Sequence, residues 1–137
     1  MEFIAEIYNE LIENISLESV QLFGLECKQF ENSEPGLASV DVQLEMHTIS
    51  REAENVIIPA EFKISAIVSE TQAKVFEINF IYTLLYELPV DKTYDEEYLE
   101  RFAKVNAPIN IWPYARELVS NLTTRMGFPS LYIPLYK

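Results

Sequence analysis

The spacing of apolar residues changes twice along the chain. Near the start, Phe3, Ile4, Ile7, Tyr8, Leu11 and Ile12 recur at i, i+1, i+4, i+5, i+8 and i+9, with Glu2, Glu6, Asn9, Glu10 and Glu13 between them. That spacing predicts an amphipathic helix over residues 1–13. From residue 15 the period falls to two. Ile15 and Leu17, then Val20 and Leu22, alternate with polar neighbours, and the parity shift between Leu17 and Val20 predicts a bulge near Ser19 in a strand ending by Phe30. Asn32-Ser33-Glu34-Pro35-Gly36 reads as a turn. A second strand sets Val40, Val42, Leu44 and Met46 against Asp41, Gln43, Glu45 and His47. A third sets Phe62, Ile64, Ala66 and Val68 against Glu61, Lys63, Ser65 and Ile67. The fourth is the most lopsided, with Phe76, Ile78, Phe80, Tyr82, Leu84 and Tyr86 on one face and Val75, Glu77, Asn79, Ile81, Thr83 and Leu85 on the other. Consecutive alternating strands over residues 15–88 imply an antiparallel sheet, apolar on one side and polar, mainly acidic, on the other. Helices must cover the apolar side.

Two more helices are predicted over residues 94–127. Thr93-Tyr94-Asp95-Glu96 has the form of a capping box, and Asp95, Glu96 and Glu97 suit the positive end of a helix. Tyr98, Leu99, Phe102 and Val105 form the first stripe, which Pro108 interrupts. The second helix restarts with Pro113 in its first turn, presents Ile111, Ala115, Leu118, Leu122 and Met126, and stops at Gly127. Residues 128–137 form a tail. The expected fold class is α+β: one domain, residues 1–137, with a four-stranded antiparallel sheet and helices packed on one face.

Charge narrows the partners. The net charge is −12, and eight Glu stand against one Lys through Glu34. Nucleic acid and anionic membrane would both need a basic patch, and none is present. No apolar run approaches the roughly 20 residues of a membrane span, and no basic n-region precedes Lys28, so a cytoplasmic protein without a signal peptide is expected. Cys27 is the single cysteine, which leaves no intrachain disulfide and no Cys-x-x-Cys pair.

Catalytic parts are missing as well. His47 is the sole histidine, on the polar side of a strand, so neither a Ser-His-Asp arrangement nor a multi-histidine metal site can be assembled, and it is expected to be a surface residue. Gly24, Gly36 and Gly127 are too scattered for a phosphate loop or dinucleotide fingerprint. The expectation is no enzyme, no cofactor and no metal.

The run Pro108, Pro113-Tyr114-Ala115-Arg116-Glu117, then Arg125 and Phe128-Pro129, resembles the signature of the SecB protein-export chaperone family, close to "P-N-I-L-F-P-Y-A-R-E" followed by "S-R-x-x-F-P". Ile15-Ser16-Leu17-Glu18 is similar to the family's "I-S-F-E", so the likeness runs from about Asn14 to Pro134. The resemblance implies an ATP-independent holdase that binds unfolded polypeptides or preproteins, passes them to the SecA motor, and assembles as a dimer or as a dimer of dimers, a homotetramer. It places Glu18, Val75 and Glu77 on the SecA-facing sheet surface. Asn14 stands where the family usually has an aspartate, and the chain ends at Lys137, short of the family's C-terminal helix and tail, space that the N-terminal helix is expected to fill.

Aromatic residues crowd the ends of the last helix. Tyr114, Ile111 and Leu118 are expected to anchor it to the sheet. Trp112, Phe128, Leu131, Tyr132 and Tyr136 lie at helix ends or in the tail and are the candidate client contacts. Two alternatives remain open: a dedicated SecB-like chaperone of one partner, such as an antitoxin, and a small-molecule binding protein using an aromatic pocket.

Overall fold

Two long strands make the centre of the sheet. In the computed structural model, which describes residues 2–30 and 38–134, β4 (Asn55–Val68) and β5 (Lys74–Glu87) pair antiparallel from Asn55 opposite Glu87 to Ala66 opposite Phe76. Even-numbered residues from Val56 to Val68 and from Phe76 to Tyr86 are buried, as the alternation requires. Phe62 stacks on Phe80 with centroids 4.8 Å apart. Strand β1 (Ser16–Gln29) pairs with the free side of β5, while β2 (Ala38–Met46) and the short β3 (Ser50–Glu52) share the other side of β4. All pairings are antiparallel. The four expected strands are present, with β3 as a fifth. The turn expected at Asn32–Gly36 lies outside the described residues.

Pro59 explains the division between β2 and β3. In an antiparallel strand the N–H and C=O of one residue point to the same neighbour. The Pro59 carbonyl accepts from the His47 backbone N–H at 2.9 Å, so its missing N–H falls on that same side. The β2–β3 edge is interrupted there, over residues 47–49. The sequence reading began this strand at Glu61; six further residues, including Pro59, belong to it.

Strand β1 shifts register between Leu17 and Ser19, where the parity change predicted a bulge, and again between Leu22 and Gly24. It carries no buried residue, and Phe23, inside the second shift, is 76% exposed.

The helices α1 (Ala5–Asn14), α2 (Glu96–Val105) and α3 (Ala107–Arg125) cover the apolar face. Leu11, Leu99, Ile111, Ala115 and Val119 are fully buried there. Helix α1 is tied to the later chain: the Ile4 N–H donates to the Tyr98 hydroxyl at 3.0 Å, and the Tyr8 hydroxyl donates to Asn106 Oδ1. The Arg101 guanidinium lies over the Phe3 ring at 4.8 Å. Glu10 accepts from Lys92 at 3.0 Å and from Tyr94 at 3.2 Å, and the Lys92 bond holds its carboxyl below the usual range.

Three helix expectations are corrected. The N-cap of α2 is Asp95, with no side-chain capping bond, so Thr93 and Glu96 form no capping box; Tyr94 is instead buried toward α1. Val105 is 47% exposed, and Ala103 takes its place beside Phe102. Helix α3 begins one residue after α2 ends its cap, with Pro108 in its first turn and Pro113 inside it. Pro113 deprives the Ile109 carbonyl of its donor, but both residues are exposed, so the lost bond lies on the water-facing side.

The buried tyrosines make stability pH-dependent. Asn110 Nδ2 donates to the Tyr86 hydroxyl at 2.7 Å, yet burial pushes that phenol up to about 12. Tyr8, Tyr82 and Tyr94 are also raised, burial being the largest cause in each. A raised phenol favours the neutral form in the folded state. Its contribution is complete below the ordinary value of 10 and is lost as pH rises through the folded value. For Tyr86 this amounts to about 2–3 kcal/mol. Denaturant unfolding should therefore show stability falling between about pH 10 and pH 12, with a shallower fall in Tyr86→Phe; equal slopes in the two proteins would contradict the assignment.

Candidate functional site

The end of α3 turns the chain back along its own surface. Gly127 adopts φ 91°, its N–H donates to the Thr124 carbonyl at 3.1 Å, and the Phe128 N–H donates to the Thr123 carbonyl at 2.9 Å. These two bonds are a Schellman motif, which needs a left-handed residue at Gly127. Residues 128–134 then run antiparallel to α3 as a strap. The Thr123 hydroxyl accepts from the Leu131 N–H at 2.9 Å, Arg116 Nε donates to the Ile133 carbonyl at 2.9 Å, and Trp112 Nε1 donates to the Pro134 carbonyl at 2.6 Å. Thr123, Arg116 and Trp112 are spaced seven and four residues apart, so successive turns of one helix face hold the strap. Ile133 is its apolar anchor, 1% exposed.

Between helix and strap lies an open trough of about 600 Å³, lined by Trp112, Pro113, Arg116, Glu117, Ser120 and Tyr132. Its walls are mostly apolar. The Trp112 ring, half-buried, packs 5.8 Å from Phe62, while Tyr132 is 65% exposed. Of the candidate client contacts, the structure brings Trp112 and Tyr132 together here. Phe128 faces inward against Phe76, centroids 5.2 Å apart, and Leu131 packs partly on the core. Tyr136 lies outside the described residues. Tyr114, expected to anchor the helix, is 46% exposed and touches Tyr82 edge-on; Ile111 is the buried anchor. Sequence reasoning missed Arg116, Thr123 and Ile133 as a set. Arg116 was noticed only within its motif, and a buried threonine or an isoleucine between prolines has no periodic signature.

The outer face of the sheet presents the odd-numbered residues. Val75 and Glu77 lie at one end of β5, where Lys28 pairs with Glu77 and the Phe30 N–H bonds to the Val75 carbonyl. Lys74 holds Glu77 at 3.0 Å. Glu18 sits in the bulge at the other end, opposite Leu85 and Tyr86, and accepts from the Ser16 hydroxyl at 2.8 Å. At about 3.3 Å per residue that places Glu18 roughly 25–30 Å from Glu77 within one chain. These three residues do not converge.

A different group does. Glu45, His47 and Glu61 bring ligand atoms within 4.8 Å of one another on the outer face. His47, expected to be a surface residue, has a side chain 38% exposed, and its Nε2 lies 2.9 Å from Glu61 Oε1.

An antiparallel sheet covered on one face by helices, with an apolar trough left open beside the last of them, defines the class of scaffold. The family model for preprotein translocase subunit SecB matches residues 3–135, and the chain belongs to the SecB family. It is 26% identical over 76 residues to the protein-export protein SecB of Anaplasma phagocytophilum (strain HZ), covering 56% of this chain and 47% of that one. Against the protein-export protein SecB of Caulobacter sp. (strain K31) it is 28% identical over 95 residues, 69% of this chain and 55% of that one. The chain thus spans about half the length of the curated relatives it matches. The fold is similar to that of the Mycobacterium tuberculosis SecB-like chaperone Rv1957 in complex with a ChAD peptide from the HigA1 antitoxin, with a TM-score of 0.85, 16% identity and coverage of 96% of this chain and 97% of that one.

The strap's dependence on Thr123 is testable. Thr123→Val keeps the buried volume but strands the Leu131 N–H, costing about 1–3 kcal/mol. Limited proteolysis of the folded variant should cut first within residues 128–134; cutting no faster than in the unaltered protein would show that the hydroxyl does not hold the strap.

Proposed function

We propose that the chain is an ATP-independent chaperone that binds unfolded polypeptide segments in the trough beside α3. The single observation that carries this reading is an apolar trough, bordered by Trp112 and Tyr132, held open on a protein of net charge −12 that belongs to the SecB family. Burying one exposed aromatic contributes roughly 1.5–3 kcal/mol. Trp112 and Tyr132 together with one or two apolar client side chains buried against them, less the cost of ordering the client, reach the roughly −8 kcal/mol of a micromolar complex. Such a complex holds and releases without nucleotide. The anionic surface favours basic client segments and opposes association of loaded assemblies.

Phe128 and Leu131 belong to this reading as a second tier, engaged when the strap shifts, and Tyr136 is kept as a further candidate client contact. The partner surface of Glu18, Val75 and Glu77 belongs to it too, and their separation calls for either an extended partner or residues drawn from more than one copy. Strand β1 supports assembly into a dimer or a dimer of dimers, because its outer edge has no neighbour among the described residues and exposes Leu22, Phe23 and Leu25. No helix among the described residues is long and apolar enough to cross a membrane, and the proposed setting is the cytoplasm.

A second reading is favoured by the likeness to the chaperone solved with an antitoxin peptide: the trough serves one dedicated partner rather than many preproteins. Titrating the full chain into a reduced, aggregating client distinguishes the two. General binding predicts suppression of several unrelated clients, weakened about tenfold by Tyr132→Ala, a loss of about 1.4 kcal/mol. Suppression of none at stoichiometric excess counts against general binding and favours the dedicated partner, whereas equal activity in Tyr132→Ala counts against the trough.

A further inference from the structure

The register of β2 against β4 sets Glu45 directly opposite Glu61, and His47 follows two residues later on the same outward face. Like charges directly opposite in a sheet repel. Lys63, the cation opposite Gln43 on that face, makes no ion pair with either carboxylate among the described residues. Beside the two acids lies an imidazole. His47 Nε2 approaches Glu61 Oε1 to 2.9 Å, and the donor atoms of all three residues lie within 4.8 Å of one another. Donors around a tetrahedral ion bound at 2.0–2.1 Å are about 3.3 Å apart. The gap to be closed by the side chains is therefore at most about 1.5 Å.

We propose that Glu45, His47 and Glu61 form a binding site for a divalent transition metal, with zinc the ion that fits best. One imidazole and two carboxylates match zinc, whereas calcium needs six to eight oxygens and magnesium keeps most of its waters. The two carboxylates neutralise the ion's charge, and water completes its coordination. The backbone is already fixed on both sides. Glu45 and Glu61 sit in a continuous ladder, and the His47 N–H is held by the Pro59 carbonyl at 2.9 Å. The ion would turn a repulsive cross-strand pair into a staple, pinning the edge strand β2 to β4 where Pro59 interrupts the hydrogen bonds. This site lies on the opposite face of the sheet from the trough.

Because His47 is the only histidine, its imidazole proton resonance reports the site without ambiguity. Zinc chloride titrated into the full chain near neutral pH should shift that resonance, saturate at one ion per chain and raise the thermal unfolding midpoint, while calcium at the same concentration leaves the resonance in place. In calorimetric titrations His47→Ala should weaken zinc binding about 100-fold and Glu45→Gln or Glu61→Gln about 10-fold, at least the losses that even outer-shell partners cause. Cys27→Ser should change nothing. Circular dichroism confirms that each variant is folded, which these half-exposed positions permit. A resonance unmoved at millimolar zinc, an affinity equal in His47→Ala, or binding abolished by Cys27→Ser would each overturn the assignment.

Discussion

The full-length antiparallel pairing of β4 with β5 is the constraint from which the other features follow. Once Phe62 stands opposite Phe80 and Ile64 opposite Ile78, the facing of every residue on both strands is set. A slip of one position would turn the whole apolar set to water. The Phe62–Phe80 stack adds about 0.5–1.5 kcal/mol beyond its burial and supports that register. The inner face must then be covered, and three helices cover most of it. Near α3 the last portion is covered by an extended strap rather than by another helix. The trough beside Trp112 lies between that strap and the α3 residues Pro113, Arg116, Glu117 and Ser120.

The same register shapes the outer face. Residues far apart in sequence become cross-strand neighbours, and their charges are not always complementary: Glu45 meets Glu61, while Glu18 and Glu77 are carried to opposite ends of the sheet. An acidic chain of net charge −12 has many such encounters, and each needs water, a basic side chain or a cation. Lys74 serves Glu77 and Lys92 serves Glu10, while the His47 imidazole lies within hydrogen-bond distance of Glu61.

Much of this was legible in the sequence because it is local. Period-two alternation located the inner faces of β2, β4 and β5, the parity shift located the first bulge of β1, and Gly127 marked the end of α3. What escaped depends on partners distant along the chain. The third strand was read only from Glu61, and Pro59 belongs to it because its carbonyl accepts from His47; Thr93 looked like a cap although Tyr94 is drawn toward Glu10. Pro113 resembled a helix start because its cost vanishes only on an exposed face. Ile133 has no period around it, and Arg116 and Thr123 acquire meaning only when the strap lies over them. Glu45 and His47 were placed together on one polar face, and Glu61 on another; only the strand pairing makes them one cluster. The family resemblance carried by Pro113-Tyr114-Ala115-Arg116-Glu117 led to the right scaffold, yet Arg116 in that motif holds the strap through its guanidinium.

The central claim is that polypeptide is gripped on the helix-covered side, along α3 and its strap. Amide hydrogen exchange of the full chain, alone and saturated with a reduced unfolded protein, tests it most directly. The account predicts slowed exchange concentrated in Ile111–Ser120 and Leu131–Ile133, with the odd-numbered face of β4 and β5 unchanged. Slowed exchange confined to β1, β4 and β5, with α3 and the strap unaffected, would contradict it.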